Sequence, residues 1–222
     1  MKTALVTGST RGIGRAIADM LSANGYTVLR NGRTGGDISA DLSTLEGVNT
    51  LAEGVIARTG KLDCLVLNAA ATYRKPMSEM DYKHWQEIMD INVNMPFFLI
   101  QKLTEHISRG GSILFISAML GTKPHATSIP YGVSKAAANM LAQSLVKEFA
   151  PRGVRVNAIS PGFVDTESQN SKPEKLRAKI ESKIALKRFA TEREIADMCL
   201  SIINNTYING AIVAIDGGYD MK

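Results

Sequence analysis

The sequence predicts an α/β fold in which a mostly parallel sheet carries helices on both faces. Two observations lead there. Short runs of β-branched and aliphatic residues alternate with longer stretches of helical period along all 222 residues, as repeated strand–helix–strand units require. A glycine-rich turn, Thr7-Gly8-Ser9-Thr10-Arg11-Gly12-Ile13-Gly14, also joins the first such run to the first helical stripe.

In chain order, strands are expected at 3–7, 27–31, 62–67, 112–116, 154–159 and 211–215. Helices are expected at 12–24, 44–58, 79–107, 131–150, 173–184 and 192–204. The first helix is carried by the stripe Ala16, Ile17, Met20 and Leu21, at spacings of three and four. Ser171 with Glu174, and Pro173 in the first turn, marks the start of the fifth helix, and Thr191 with Glu194 opens the sixth as a capping box. No repeat, low-complexity tract or Ser/Gly linker interrupts the pattern, so one domain over 1–222 is expected.

Composition narrows the function classes. No apolar stretch approaches the roughly 20 residues needed to cross a bilayer, and no leader pattern precedes the first strand, so a cytoplasmic protein is expected. Cys64 and Cys199 lie in apolar surroundings without metal or redox spacing and read as buried thiols. His84, His106 and His125 have no metal spacing either, so no metal is expected, although His125 falls where it could border a pocket near residue 131. A net charge of +5 suits nucleic acid, an acidic carrier or a phosphorylated cofactor. No aromatic-flanked basic patch or helix-turn-helix pattern appears, so nucleic acid is not expected as a partner.

The glycine turn carries the first chemistry. A chain that must turn sharply and bring its backbone against a pyrophosphate needs glycine, and the helix that follows aims free N–H groups at the anion. Gly8, Ser9, Thr10, Arg11, Gly12, Ile13 and Gly14 are therefore expected to bind a dinucleotide. The second strand distinguishes the coenzymes. It ends Val28-Leu29-Arg30-Asn31-Gly32-Arg33, without the carboxylate that would hold a ribose 2′-hydroxyl. Arg33 and Arg11 can instead pair with a 2′-phosphate, which points to NADP(H).

Tyr131 and Lys135 form the second chemical feature. Their i, i+4 spacing places both side chains on one helix face. A neighbouring ammonium is expected to lower the tyrosine pKa and let its oxygen exchange a proton with a substrate alcohol or carbonyl.

With these residues in view, the chain resembles the short-chain dehydrogenase/reductase family over essentially its full length, and in general terms its 3-oxoacyl-carrier-protein reductases. The turn has the family's T-G-x-x-x-G-I-G form, and Leu67-Asn68-Ala69-Ala70 is similar to its Asn-Asn-Ala-Gly segment, with departures at Leu67 and Ala70. Asp90-Ile91-Asn92-Val93, Tyr131-Gly132-Val133-Ser134-Lys135, Pro161-Gly162-Phe163-Val164-Asp165-Thr166 and Ile215-Asp216-Gly217-Gly218-Tyr219 follow in the family's order. The resemblance implies a Rossmann-type, doubly wound domain with a seven-stranded sheet. It also implies coenzyme contacts at Asn31, Asp41, Leu42, Asn68, Ala69, Pro161, Val164 and Thr166, together with Tyr131 and Lys135. Lys135 should bond the nicotinamide ribose, and Asn92 should hold a water that relays protons to that lysine. The substrate is a small carbonyl or alcohol compound, and the helices around 95–107 and 131–150 imply a homodimer or homotetramer.

Two places are left open. The family's substrate-polarising serine lies thirteen residues before the tyrosine, which here is Ala118, with Ser117 one place short and Gly121 in register. A deliberate substitution, a natural variant with another donor, and a protein that binds NADP(H) without turnover all fit this pattern. Residues 167–190 correspond to the segment that closes over the substrate, and Leu176, Ile180 and Ile184 form a stripe among Lys and Arg. This is either a lid with a solvated basic face or an attractor for an acidic, acyl-carrier-linked substrate.

Overall fold

Seven strands form one entirely parallel sheet in the order β3-β2-β1-β4-β5-β6-β7, in a computed structural model that describes residues 1–219 and 221. The strands are β1 (Lys2–Val6), β2 (Tyr26–Gly32), β3 (Ile38–Ser39), β4 (Leu62–Leu67), β5 (Ile107–Ile116), β6 (Arg155–Pro161) and β7 (Ile212–Ile215). The helices are α1 (Gly12–Ala23), α2 (Leu45–Arg58), α3 (Tyr82–Met89), α4 (Met95–Leu103), α5 (Ile129–Phe149), α6 (Glu167–Asn170), α7 (Glu174–Lys183) and α8 (Glu192–Asn204).

The central strands are apolar throughout because helices cover both of their faces. Leu5, Leu65, Ile113 and Val156 face a core built with α2, α4 and α5, whereas Val6, Val66, Leu114 and Ile159 face one built with α1 and α8. Cys64 and Cys199 are buried free thiols, as expected. After β1 the chain winds outward to β2 and β3, then returns to place β4 on the other side of β1. That reversal opens a crevice beyond the carboxyl ends of β1 and β4, where doubly wound sheets bind ligands.

Three local expectations are corrected. The helix expected over 79–107 is divided: α3 ends at Met89, a wide π turn occupies Asp90–Asn94, and α4 begins with Pro96 in its first turn, where a missing N–H costs nothing. Residue 107 already belongs to β5, whose pairing with β4 shifts register between Leu62 and Cys64. The fifth helix is not capped by Ser171. Pro173 stands at the N-cap of α7 without a side-chain cap bond. At α8, by contrast, the Thr191–Glu194 capping box is present, and hydrogen bonds from Arg188 hold the Glu194 carboxyl down to about 2.

The β2–β3 connection departs furthest from the fold's usual pattern. Parallel neighbours ordinarily need a crossover of about a dozen residues or more, yet only residues 33–37 separate these two strands. The loop closes because Gly35 and Gly36 adopt φ of +96° and +83°, and a Cβ on Gly36 would lie 2.7 Å from the Arg30 carbonyl oxygen. Asp37 seals it, its N–H donating to the Arg30 carbonyl and its carboxylate accepting from the Arg30 N–H, both at 2.8 Å. Among the described residues, none of the helices is long and apolar enough to cross a membrane.

Candidate active site

The crevice is a cleft of about 990 Å³ bordered at one end by the glycine turn and at the other by Tyr131. The turn exists because side chains do not fit there. Gly8 and Gly12 have φ of +62° and +60°, and a Cβ on Gly14 would fall 2.3 Å from the Gly8 oxygen and 2.4 Å from Asn68 Nδ2. Asn68 locks the arrangement by donating to the Thr7 and Gly8 carbonyls at 3.0 and 2.9 Å. Arg11, the N-cap of α1, makes no side-chain cap bond. The first N–H groups of that twelve-residue helix are therefore left for an anion.

Gly8, Thr10, Arg11, Gly12, Ile13, Gly14, Asn31, Arg33, Asp41, Leu42, Asn68, Ala69, Tyr131, Lys135, Pro161, Val164 and Thr166 all line this one cleft. Ser9 is the correction. Both its N–H and its hydroxyl are turned to the Asn31 carbonyl, at 2.8 and 3.3 Å, and the residue is buried off the cleft. Asn31 likewise braces the turn, its amide donating to the Ile38 and Ala40 carbonyls at 3.1 and 3.3 Å. Further out, Arg33 Nε stands 3.3 Å from the Asp41 carboxylate.

Tyr131 and Lys135 share a face of α5, as their spacing requires, with Lys135 Nζ 5.6 Å from the centre of the Tyr131 ring. The electrostatics reverse the expectation. Burial pushes the Tyr131 phenol up to about 12, opposed by the nearby Arg74 charge, and pushes the Lys135 ammonium down to about 8. The sign changes because Lys135 donates to the Ile116 carbonyl at 2.8 Å rather than to the phenol, and desolvation outweighs the remaining attraction. Asn92 lies in the wide turn with its side chain fully engaged. Its Oδ1 accepts from Ala71 N–H at 2.8 Å, and its amide donates to the Ala71 carbonyl and the Ser134 hydroxyl, both at 2.9 Å. A relay water at Asn92 would therefore have to use the main chain.

Comparison with known proteins agrees with this geometry. Residues 30–220 match a family model described as Enoyl-(Acyl carrier protein) reductase. The 3-oxoacyl-acyl-carrier-protein reductase of Aquifex aeolicus is 32% identical, across 98% of this chain and 96% of that protein. The chain belongs to the short-chain dehydrogenase/reductase family. Glucose 1-dehydrogenase 2 of Bacillus subtilis is 31% identical, across 98% of this chain and 94% of its own length. Among solved structures, the angucycline C-6 ketoreductase LanV with bound NADP superposes with a TM-score of 0.93 at 29% identity, covering 100% of this chain and 96% of that one. A Serratia marcescens short-chain dehydrogenase/reductase gives a TM-score of 0.91 at 27% identity, covering 99% and 98%.

Within this dehydrogenase/reductase, the register at Ala118 is firm. A Cβ on Gly121 would lie 2.9 Å from the Lys135 carbonyl carbon, so the short turn at Met119–Gly121 packs against α5 with no room for a side chain at that position. Ala118 then lines the same cleft as Tyr131 with no polar side-chain atom to offer. Although β5 has ended by residue 117, Ser117 does not substitute, because its buried hydroxyl donates to the Lys135 carbonyl at 3.2 Å.

Sequence reasoning missed Thr34, Ser43, Thr72 and Gln169, which also line the cleft. Thr34 lies in the short β2–β3 loop and Ser43 in the connection from β3 to α2, neither of which a motif announced. Gln169 sits on a four-residue helix too short to leave a periodic signal. His125, expected near the pocket, is exposed and pairs with Thr127 at 3.3 Å. Among the described residues no cluster of His, Cys, Asp and Glu could hold a metal ion.

Proposed function

We propose that this chain transfers a hydride between NADP(H) and a small carbonyl or alcohol substrate, with Tyr131 as general acid/base. One observation carries the reading: the half-buried Tyr131 phenol and the buried Lys135 stand in the same cleft as an uncapped helix start behind a glycine turn. The donor set fits the coenzyme. The N–H groups at the start of α1 suit a pyrophosphate, and Arg11 and Arg33 suit the adenosine 2′-phosphate.

When bound, NADPH supplies the hydride. Tyr131, held neutral by desolvation, then acts as the acid and passes its Oη proton to the carbonyl oxygen as that oxygen gains negative charge. The resulting phenolate is stabilised by the charge of Arg74. Lys135, with its pKa near 8, can exchange protons at neutral pH and so recharge the phenol. Exposed Phe97 on α4 and Val133 and Met140 on α5 support pairing of copies through those helices. The basic side chains of α7, Lys175, Arg177, Lys179 and Lys183, support approach of an acidic acyl carrier. The segment 167–190 acts as the lid of a single domain, in a cytoplasmic protein.

Ala118 favours a second reading, a protein that binds NADP(H) without turnover. Assaying a ketone panel with NADPH, for this chain and for Ala118→Ser, separates the two. Hydride transfer predicts turnover by both, with the serine variant faster by up to ~10²-fold, since one preorganised donor to a developing oxyanion is worth about that much. NADPH binding without turnover by either would establish the second reading.

A further inference from the structure

Six buried side-chain polar atoms, on Asn49, Ser112, Ser128, Asn139, Ser160 and Gln169, have no hydrogen-bond partner among the described residues. Of these six residues, Gln169 is the one that lines the cleft. Its Oε1 is shielded from solvent and accepts nothing. Buried acceptors are nearly always satisfied, and an orphan inside a binding cleft calls for a donor brought by a ligand.

The surroundings define that ligand. Ala70, Ala71, Ala118 and Val164 line the cleft without a side-chain hydrogen bond to offer, and Thr72, Thr166 and Glu167 line it with polar side chains. Ser117 is spent on Lys135 and Asn68 on the glycine turn. Gln169 sits on α6, beyond the 161–166 stretch that borders the coenzyme, with its own N–H donating to the Thr166 carbonyl at 2.8 Å. It is thus a shielded, unpaired acceptor in the same cleft that Ala118 lines without a hydroxyl.

We propose that Gln169 accepts a hydrogen bond from a hydroxyl group carried by the substrate beside its reacting carbonyl, so that the enzyme selects hydroxy ketones over plain ketones. This rests on the hydride-transfer reading above. A site with a buried hydrogen-bonding group discriminates strongly against analogues lacking the partner, because the group is then left unpaired.

The test compares kcat/KM with NADPH for 1-hydroxy-2-butanone and 2-butanone in the unaltered chain, Gln169→Leu and Gln169→Glu. The unaltered chain should prefer the hydroxy ketone by about tenfold or more. Gln169→Leu should bring the ratio near one, and Gln169→Glu, which keeps an acceptor, should retain most of it. An unaltered chain without preference, or a ratio unmoved in Gln169→Leu, overturns the proposal. So does a loss of NADPH affinity in Gln169→Leu that vanishes with the 3-acetylpyridine analogue, whose ring lacks the amide N–H, since the acceptor would then serve the coenzyme. A chain that turns over neither ketone overturns the hydride-transfer reading instead. Calorimetry of the same two ketones on the NADP⁺-loaded chain and on Gln169→Leu then decides the acceptor's role by the same ratio.

Discussion

The two ends of the cleft use their polar groups in opposite ways. At the glycine turn, Ser9, Asn31 and Asn68 are all committed to backbone partners, and what remains for a ligand is backbone N–H and the arginines. At the substrate end the side chains are differently placed. Ala118 is apolar, Gln169 Oε1 is unpaired, and α7 is exposed apart from buried Ile180 and half-covered Arg177 and Glu181. The coenzyme end is a rigid cradle defined by close contact. The substrate end is a thin cover that is completed by what it binds.

Substitutions can break this contrast or sharpen it. The largest effect is expected from Tyr131→Phe, which removes the proton donor and keeps the ring. kcat should fall by ~10³-fold while NADPH affinity by fluorescence titration stays within about twofold. A matching loss of affinity would mean that the two ends are not separable.

Gly14→Ala tests the cradle against the cover. Its Cβ would meet the Gly8 carbonyl, which is backbone and cannot swing away. Urea melts should show a loss of about 1–3 kcal/mol, as for overpacking, together with weakened NADPH binding. Lys179→Ala on the exposed face of α7 should stay within about 0.5 kcal/mol, as surface changes do. Equal losses at the two positions would erase the distinction.

The last effect is confined to a narrow pH window. Lys135 has a folded pKa near 8, below its ordinary 10.5, so between those values the unfolded chain binds a proton that the folded chain does not. Without coenzyme, stability should therefore rise with pH across that window relative to Lys135→Met, by roughly 1–3 kcal/mol in all. Tyr131 works the other way only above pH 10, where the folded chain keeps a proton that the unfolded chain loses. A flat difference between the two chains over pH 8–10 would show that Lys135 is better solvated than its surroundings suggest.

Much of the site was legible because its chemistry depends on spacing. Tyr131 and Lys135 met on one helix face, and seventeen of the residues expected to touch coenzyme or substrate line one cleft. Ser9 was misplaced because motif membership says nothing about which way a hydroxyl turns. Its rotation is set by Asn31, on another strand. The tyrosine's shift was misjudged for the same kind of reason. Spacing placed an ammonium nearby, but the balance between that charge and desolvation depends on how much protein covers both groups.

From the sequence could be read what periodicity and local sterics control: the parallel α/β architecture, the glycine turn, the Tyr–Lys pair and the absence of a serine at residue 118. The tertiary structure decided the five-residue β2–β3 loop, the wide turn at Asn92, the neutral phenol and the unpaired Gln169 acceptor. The difference is physical. Local conformational preference acts through neighbours in the chain, whereas burial, desolvation and hydrogen-bond pairing are set by groups that only folding brings together.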